Sequence, residues 1–221
     1  MIHRKDKMFF AIKGGSNNEP HNHNDVGSFV AAIDGEIILA DLGAGAYTKG
    51  YFGSERYTYN HTRSYWHSVP LINKCEQEEN QLISNVVKYN IQDDSIEFDL
   101  ELSNAYPSVE INNFYRKIKF ENNKGMFTIE DSILGEDITL VNEGFISYIK
   151  PEVTKVGEIN WSGTNGNIIL LYDCSIFDYF IEEEKVTNHY NEVTSIYRLG
   201  LISCNKYEDI KAEFKFYYEF I

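Results

Sequence analysis

The densest collection of chemically capable side chains lies in one stretch, Gly14-Gly15-Ser16-Asn17-Asn18-Glu19-Pro20-His21-Asn22-His23-Asn24-Asp25. Pro20 favours an extended or turned approach to it. In an extended chain His21 and His23 point to the same side, because side chains along a strand repeat every two residues. Two imidazoles on one face either bind a metal together or divide the work, one as ligand and one as proton carrier. A surface loop that happens to contain two histidines is the plainer alternative. Two further groups strengthen the metal reading. Asp41 follows the apolar run Ile37-Ile38-Leu39-Ala40 and precedes Leu42-Gly43-Ala44-Gly45, as a turn residue or a ligand. His67 lies in Tyr65-Trp66-His67-Ser68-Val69-Pro70, an apolar setting in which an imidazole needs a partner. Neutral imidazoles with a carboxylate make a good zinc environment.

The elements that carry these groups read as strands. Alternating apolar residues dominate, and helical spacing is scarce. Phe9–Lys13 ends at Gly14-Gly15, and Val26–Ile33 and Glu36–Asp41 flank Asp34-Gly35, a strong hairpin signal. Further strands are expected at Ser95–Leu102, Val109–Phe120, Gly125–Ile133, Ile138–Gly144, Phe145–Ile149, Ile168–Tyr172, Val193–Ser203 and Lys211–Phe220. A second hairpin turns at Glu121–Gly125. Gln77–Val87 is the one plausible helix. The fold class expected is all-β, an antiparallel β-sandwich with few or no helices, residues 1–221 forming a single domain with its chemistry in 8–77. One geometric condition follows. A tight turn at Asp34-Gly35 pairs Ile33 with Glu36 and Ser28 with Asp41, which leaves His23 roughly 16 Å further along a straight strand. His23 and Asp41 can meet only if the chain bends back near Gly27 or the turn is a longer, bulged one.

Composition narrows the function classes. The chain has 221 residues, 43% hydrophobic and 14% aromatic, enough for a sizeable core and incompatible with wholesale disorder. The net charge of −14 arises beyond residue 70: residues 1–70 carry seven Lys/Arg against seven Asp/Glu, residues 71–221 thirteen against twenty-seven. Five of the six histidines lie in the neutral part. Nucleic-acid binding is disfavoured for want of a clustered cationic surface. No membrane partner is expected, since no stretch approaches the ~20 apolar residues of a span. No apolar segment follows the basic start Met1–Lys7, so no signal peptide is expected, and cytoplasmic and exported locations both stay open. Cys75, Cys174 and Cys204 are too few for a disulfide framework. Arg56 and Arg63 are candidates for a substrate carboxylate or sulfate.

Two family patterns bear on the loop. Gly15 followed by His21-x-His23 matches the opening of the cupin metal motif, but Gly27 and Ser28 stand where that pattern expects a Glu. Lys13-Gly14-Gly15, His21-Asn22-His23-Asn24-Asp25-Val26-Gly27-Ser28-Phe29, Ile38–Tyr47, Tyr51-Phe52 and His67–Asn73 resemble, in order and spacing, the C-terminal β-sandwich of the heparinase II/III-like polysaccharide lyases. The resemblance covers about residues 8–77. It implies β-elimination on a uronic-acid glycan of the heparan or alginate kind, with His21 in the catalytic groove. It further implies one structural zinc held by His23, Asp41 and His67, while Asn22, Asn24 and Asp25 line or brace the loop, Asn22 and Asn24 as substrate-binding candidates. Complete members place an α-helical toroid before the sandwich that supplies a catalytic Tyr, and nothing in this sequence resembles it. The isolated chain is then an incomplete lyase, with Tyr47, Tyr51, Tyr57 or Tyr59 as the candidates for a substitute acid. An anionic polysaccharide and the toroid are the expected partners, and a homodimer is left open. A non-catalytic carbohydrate-binding or structural metal-binding sandwich and a cupin-like metalloenzyme are the alternatives.

Overall fold

The computed structural model describes residues 1–79, 83–92, 94–203 and 207–221. Its strands are β1 (Ile2–Lys5), β2 (Met8–Ile12), β3 (Phe29–Ile33), β4 (Glu36–Leu39), β5 (Leu71–Ile72), β6 (Asn85–Ile91), β7 (Ser95–Glu101) and β8 (Ile111–Glu121). They continue as β9 (Met126–Ile138), β10 (Val141–Ser147), β11 (Glu152–Lys155), β12 (Glu158–Ser162), β13 (Gly166–Leu171), β14 (Phe177–Thr187), β15 (Val193–Ser203) and β16 (Tyr207–Phe220). Every pairing is antiparallel. The only helical segments among the described residues are five three-residue 3₁₀ turns.

One eight-stranded sheet, in the order β11-β12-β13-β16-β9-β8-β7-β6, faces two four-stranded sheets, β1-β2-β3-β4 and β14-β15-β10-β5. The smaller sheets meet where Ala40 N donates to Ile146 O at 2.8 Å and Ser147 Oγ to Ile38 O at 2.6 Å. Inward side chains fill the space between the layers. Phe10 and Phe29 from one side meet Phe127 and Phe216 from the other, and Phe145 and Phe177 pack on Phe214. These rings are buried, and burying such a side chain stabilises a fold by about 1.5–3 kcal/mol.

The two hairpins expected from the sequence are present. Asp34 and Gly35 both have positive φ, 47° and 84°, and Ile33 pairs with Glu36. Glu121 pairs with Met126 around Gly125, whose φ is 58°. The expected helix at Gln77–Val87 is not formed among its described residues. Gln77 is an irregular, buried residue, and Asn85–Ile91 is the edge strand β6. Residues 80–82 of that segment lie outside the described residues, as does Cys204. The two strands expected at 138–149 are one, because Val141–Ser147 is buried throughout and runs along β15.

Candidate functional site

The His-rich segment is a loop closed at its neck. Gly27 N donates to Lys13 O and Lys13 N to Ser28 O, both at 2.9 Å, so residues 14–26 leave β2 and return to β3 beside their starting point. The return is a turn in which Ser28 N donates to Asp25 O at 2.9 Å and Gly27 takes φ 87°. Of the two routes that would bring His23 to Asp41, the bend at Gly27 is the one taken; the turn itself stays tight, Ile33 pairing with Glu36, and the β3–β4 register shifts only between Ala31 and Ala32.

Polar side chains hold the loop from inside. Asn22, Asn24 and Asp25 are buried. Asn22 Nδ2 donates to Asn17 O at 2.5 Å, and Asn24 Nδ2 to Gln77 O at 3.1 Å. Lys13 pairs with Asp25. Gln77 grips Val26 from both sides, accepting from its N–H at 3.0 Å and donating to its carbonyl at 2.8 Å. Arg56 is placed as a clamp rather than as an exposed substrate contact. Its buried guanidinium donates to His21 O at 2.6 Å, Asn22 O at 2.7 Å and Tyr51 O at 3.0 Å. Arg63 is engaged by Glu76 through Nε at 3.1 Å and through Nη2.

At the loop's far end His23, Asp41 and His67 converge, with one ligand atom of each inside a sphere where all lie within 4.8 Å of one another. His67 is fully buried, and its Nδ1–H donates to Asp41 Oδ2 at 2.8 Å. Its Nε2–H donates to His61 O at 2.9 Å. Burial pushes His67 down, but the Asp41 carboxylate outweighs it and raises the imidazole to about 9. Burial likewise favours neutral Asp41, but the charge and hydrogen bond of His67 hold the carboxyl well below the usual range. Burial and the neighbouring His67 lower His23 to about 4, so this imidazole is neutral near pH 7.

The donor set fits zinc. A ligating histidine commonly donates its second ring N–H to a backbone carbonyl, which fixes the tautomer. His67 does this through Nε2, leaving Nδ1 toward Asp41 and His23. A divalent ion there would take the place of the Nδ1 proton, and two imidazoles and a carboxylate are an N/O donor set that zinc accepts.

His21 is not a fourth member of this cluster. Its φ is 61°, left-handed, so the two-residue alternation expected for an extended His-x-His does not apply. The His21 ring is exposed and meets Phe52 edge-on, with centroids 5.3 Å apart. Such a backbone conformation is costly for a non-glycine residue and persists only where its surroundings enforce it. Here the Arg56 hydrogen bond to His21 O does so. The loop thus turns one imidazole inward and presents the other to solvent.

Tyr51, one of four tyrosines weighed from the sequence, is the one at the cluster. It is buried, its hydroxyl lies 3.3 Å from His23 Nε2, and it accepts from Gly45 N at 3.4 Å. Tyr57 donates to Asn22 Oδ1 at 2.6 Å, Tyr59 contacts Thr48 Oγ1 at 3.0 Å, and Tyr47 is exposed. The bracing roles of Gln77 and Arg56 left no mark in the sequence, because most of their partners are backbone groups.

No protein-family model matches the sequence, and no curated protein does. Solved structures share the architecture. The heparan sulfate lyase HepC from Pedobacter heparinus superposes with a TM-score of 0.78 at 17% identity, over 97% of this chain and 33% of that one. A heparinase III structure gives 0.74 at 15% identity, over 96% and 33%, and another heparinase III gives 0.75 at 15%, over 100% and 36%. The chain spans about a third of the length of these structures. In fold, the chain is a β-sandwich of the kind found in heparinase III.

Proposed function

We propose that this chain is the β-sandwich portion of a polysaccharide lyase that cleaves a uronic-acid glycan by β-elimination. The observation that carries the reading is the division of labour in the loop: His23 joins Asp41 and His67 in a zinc-competent set, while His21, two residues away, is held facing solvent. The likeness in fold to a heparan sulfate lyase and to heparinase III supports it.

In the proposed reaction the proton on C5 of the uronate is removed, its electrons form the C4–C5 double bond, and the C4–O glycosidic bond breaks. The departing oxygen must then receive a proton. Imidazole is a suitable base near neutral pH, and His21 is assigned to that step or to hydrogen-bonding the carboxylate as negative charge develops there. His23, Asp41 and His67 would hold the zinc, whose part would be to stiffen the loop that presents His21. Asn22 and Asn24 brace the loop from inside. The acid for the leaving oxygen and much of the sugar-binding groove are assigned to a helical partner domain, in keeping with a chain about a third as long as its neighbours in fold.

Metal analysis tests the first half of the reading. About one zinc per chain is expected in wild type and little in His23→Ala or Asp41→Ala. The second half is tested in the full gene product by absorbance of unsaturated uronate ends, which His21→Ala should abolish while zinc is retained. A metal-free wild type sinks the zinc assignment, and a His21→Ala protein with unchanged elimination sinks the catalytic one.

A further inference from the structure

A row of aromatic rings runs away from His21 over the protein surface. Phe52, edge-on to His21, lies 5.1 Å from Tyr47 between ring centroids. Tyr47 lies 6.1 Å from His189 with the planes only 25° apart, and His189 lies 3.8 Å from Tyr190. These rings are not core. Phe52 is 50% exposed, Tyr47 63% and Tyr190 71%. Isolated exposed aromatics are ordinary, but a contiguous set beside a candidate site marks an interaction surface.

The row is built from two distant segments that are fastened together. Tyr47 and Phe52 belong to the loop after Asp41, and His189 and Tyr190 form the tip of the β14–β15 hairpin. Asn188 shapes that tip: its side-chain oxygen accepts from Tyr190 N at 2.9 Å and Glu192 N at 3.0 Å. Asn188 also bridges to Gly45, and His189 N donates to Ala44 O at 3.1 Å. Beneath the row, buried Tyr51 contacts both Tyr47 and Phe52 and reaches His23 with its hydroxyl. The rings are therefore held in place before any ligand arrives, which lowers the cost of binding.

We infer that Phe52, Tyr47, His189 and Tyr190 form a glycan subsite, on which pyranose rings next to the cleaved bond stack their apolar C–H faces. The inference rests on the lyase reading, because the row begins at His21 and is continuous with the site proposed for the chemistry. Aromatic faces carry the negative end of a quadrupole and attract the weakly positive C–H groups of a sugar ring. They carry no formal charge, so they offer an anionic glycan a contact free of repulsion on a chain of net charge −14. A packed partner protein or a second copy would also cover the row, and binding measurements separate these occupants.

The test is ligand-observed NMR titration of the intact chain with size-fractionated heparan sulfate and alginate oligosaccharides at up to millimolar concentration, for wild type, Tyr47→Ala, Tyr47→Phe, Tyr190→Ala and His21→Ala. Thermal melting checks that each variant is folded, and sedimentation gives the oligomeric state. Binding to wild type and Tyr47→Phe is expected, with a loss of about three- to tenfold in affinity for Tyr47→Ala and Tyr190→Ala, the size of an aromatic contact. His21→Ala should keep most of its affinity, since its task is chemical. Binding that is equal in all variants overturns the subsite and leaves the lyase reading standing. Absence of binding to wild type overturns the subsite and leaves the lyase reading to the elimination assay on the full gene product, since much of the groove is assigned to the helical partner domain. A dimer that Tyr47→Ala and Tyr190→Ala dissociate, with glycan affinity unchanged, assigns the row to a second copy and overturns the subsite.

Discussion

Arg56 shows how much of this site depends on a side chain that need not touch substrate. Its guanidinium satisfies the carbonyls of His21, Asn22 and Tyr51, the first two on the loop that carries His23 and the third at the ring beneath the aromatic row. Arg56→Ala leaves these oxygens short of donors, and a buried polar group without a partner costs about 1–3 kcal/mol. A loss of about 2–4 kcal/mol in urea unfolding is expected, with weaker zinc binding because the loop carrying His23 is released. Arg56→Lys should recover little, since an ammonium lacks the planar fork that reaches all three carbonyls. Wild-type stability in Arg56→Ala would remove the clamp. The candidate ligands were legible in the sequence because metal chemistry restricts them to a few residue types. Arg56 was legible only as a cation, since the carbonyls it holds belong to every residue alike. The inward and outward split of His23 and His21 was legible only through the family resemblance, because it depends on the left-handed backbone at His21, which no side-chain pattern announces.

At the scale of elements, two glycines with similar backbone angles have different tasks. Gly35 in the β3–β4 turn has φ 84°, and a Cβ added there meets nothing within 4 Å. Gly27 at the neck of the loop has φ 87°, and its Cβ would lie 2.8 Å from Leu102 Cδ1. Gly35→Ala should therefore cost about 1 kcal/mol from backbone strain alone. Gly27→Ala should cost about 2–3 kcal/mol, because strain and steric overlap add. Thermal melting orders the two variants. Zinc titration separates them further, since only Gly27→Ala shifts the segment that delivers His23. Equal losses in both would mean that the neck tolerates a side chain. The Asp34-Gly35 hairpin could be read from sequence because its turn type demands those residues. The strands β6 and β14 could not. Every residue of β6 but Asn90 is exposed, so no alternation betrays it, and the Glu182-Glu183-Glu184 run in β14 reads as a solvated charge cluster. Both pair along a single neighbour at the rim of a sheet, where packing imposes little pattern.

Across the whole molecule, one buried cation joins the layers and the site. Arg116 on β8 donates to its cross-strand neighbour Asp131 on β9 at 2.9 Å through Nε, and through Nη2 to Glu143 on β10 in the facing layer at 3.2 Å. Its Nη1 donates to Gly27 O and Ser68 O, both at 2.8 Å, which are the neck of the His23 loop and the residue after His67. Removing the cation leaves the buried Asp131 carboxylate without its partner, and breaking a buried pair in this way costs about 3–5 kcal/mol. Arg116→Met should lose that much and, because both site segments are released, most of the zinc affinity proposed for the site. Glu143 is different, since the cluster holds one carboxylate more than its cation balances. Burial first, and then the charge of Asp131, raise Glu143 well above its ordinary value of 4.5, against the opposing pull of Arg116. The folded state then binds this proton more tightly than the unfolded chain does. Stability falls as pH rises from about 4.5 toward the raised folded value and levels off above it. Glu143→Gln keeps the size and lacks the titration, so its unfolding free energy should decline less over that range and match or exceed wild type at the upper end. Urea unfolding of both proteins at a series of pH values measures the difference between the two slopes. Parallel slopes would show that Glu143 stays ionised and that the Arg116 cluster carries its extra negative charge without cost.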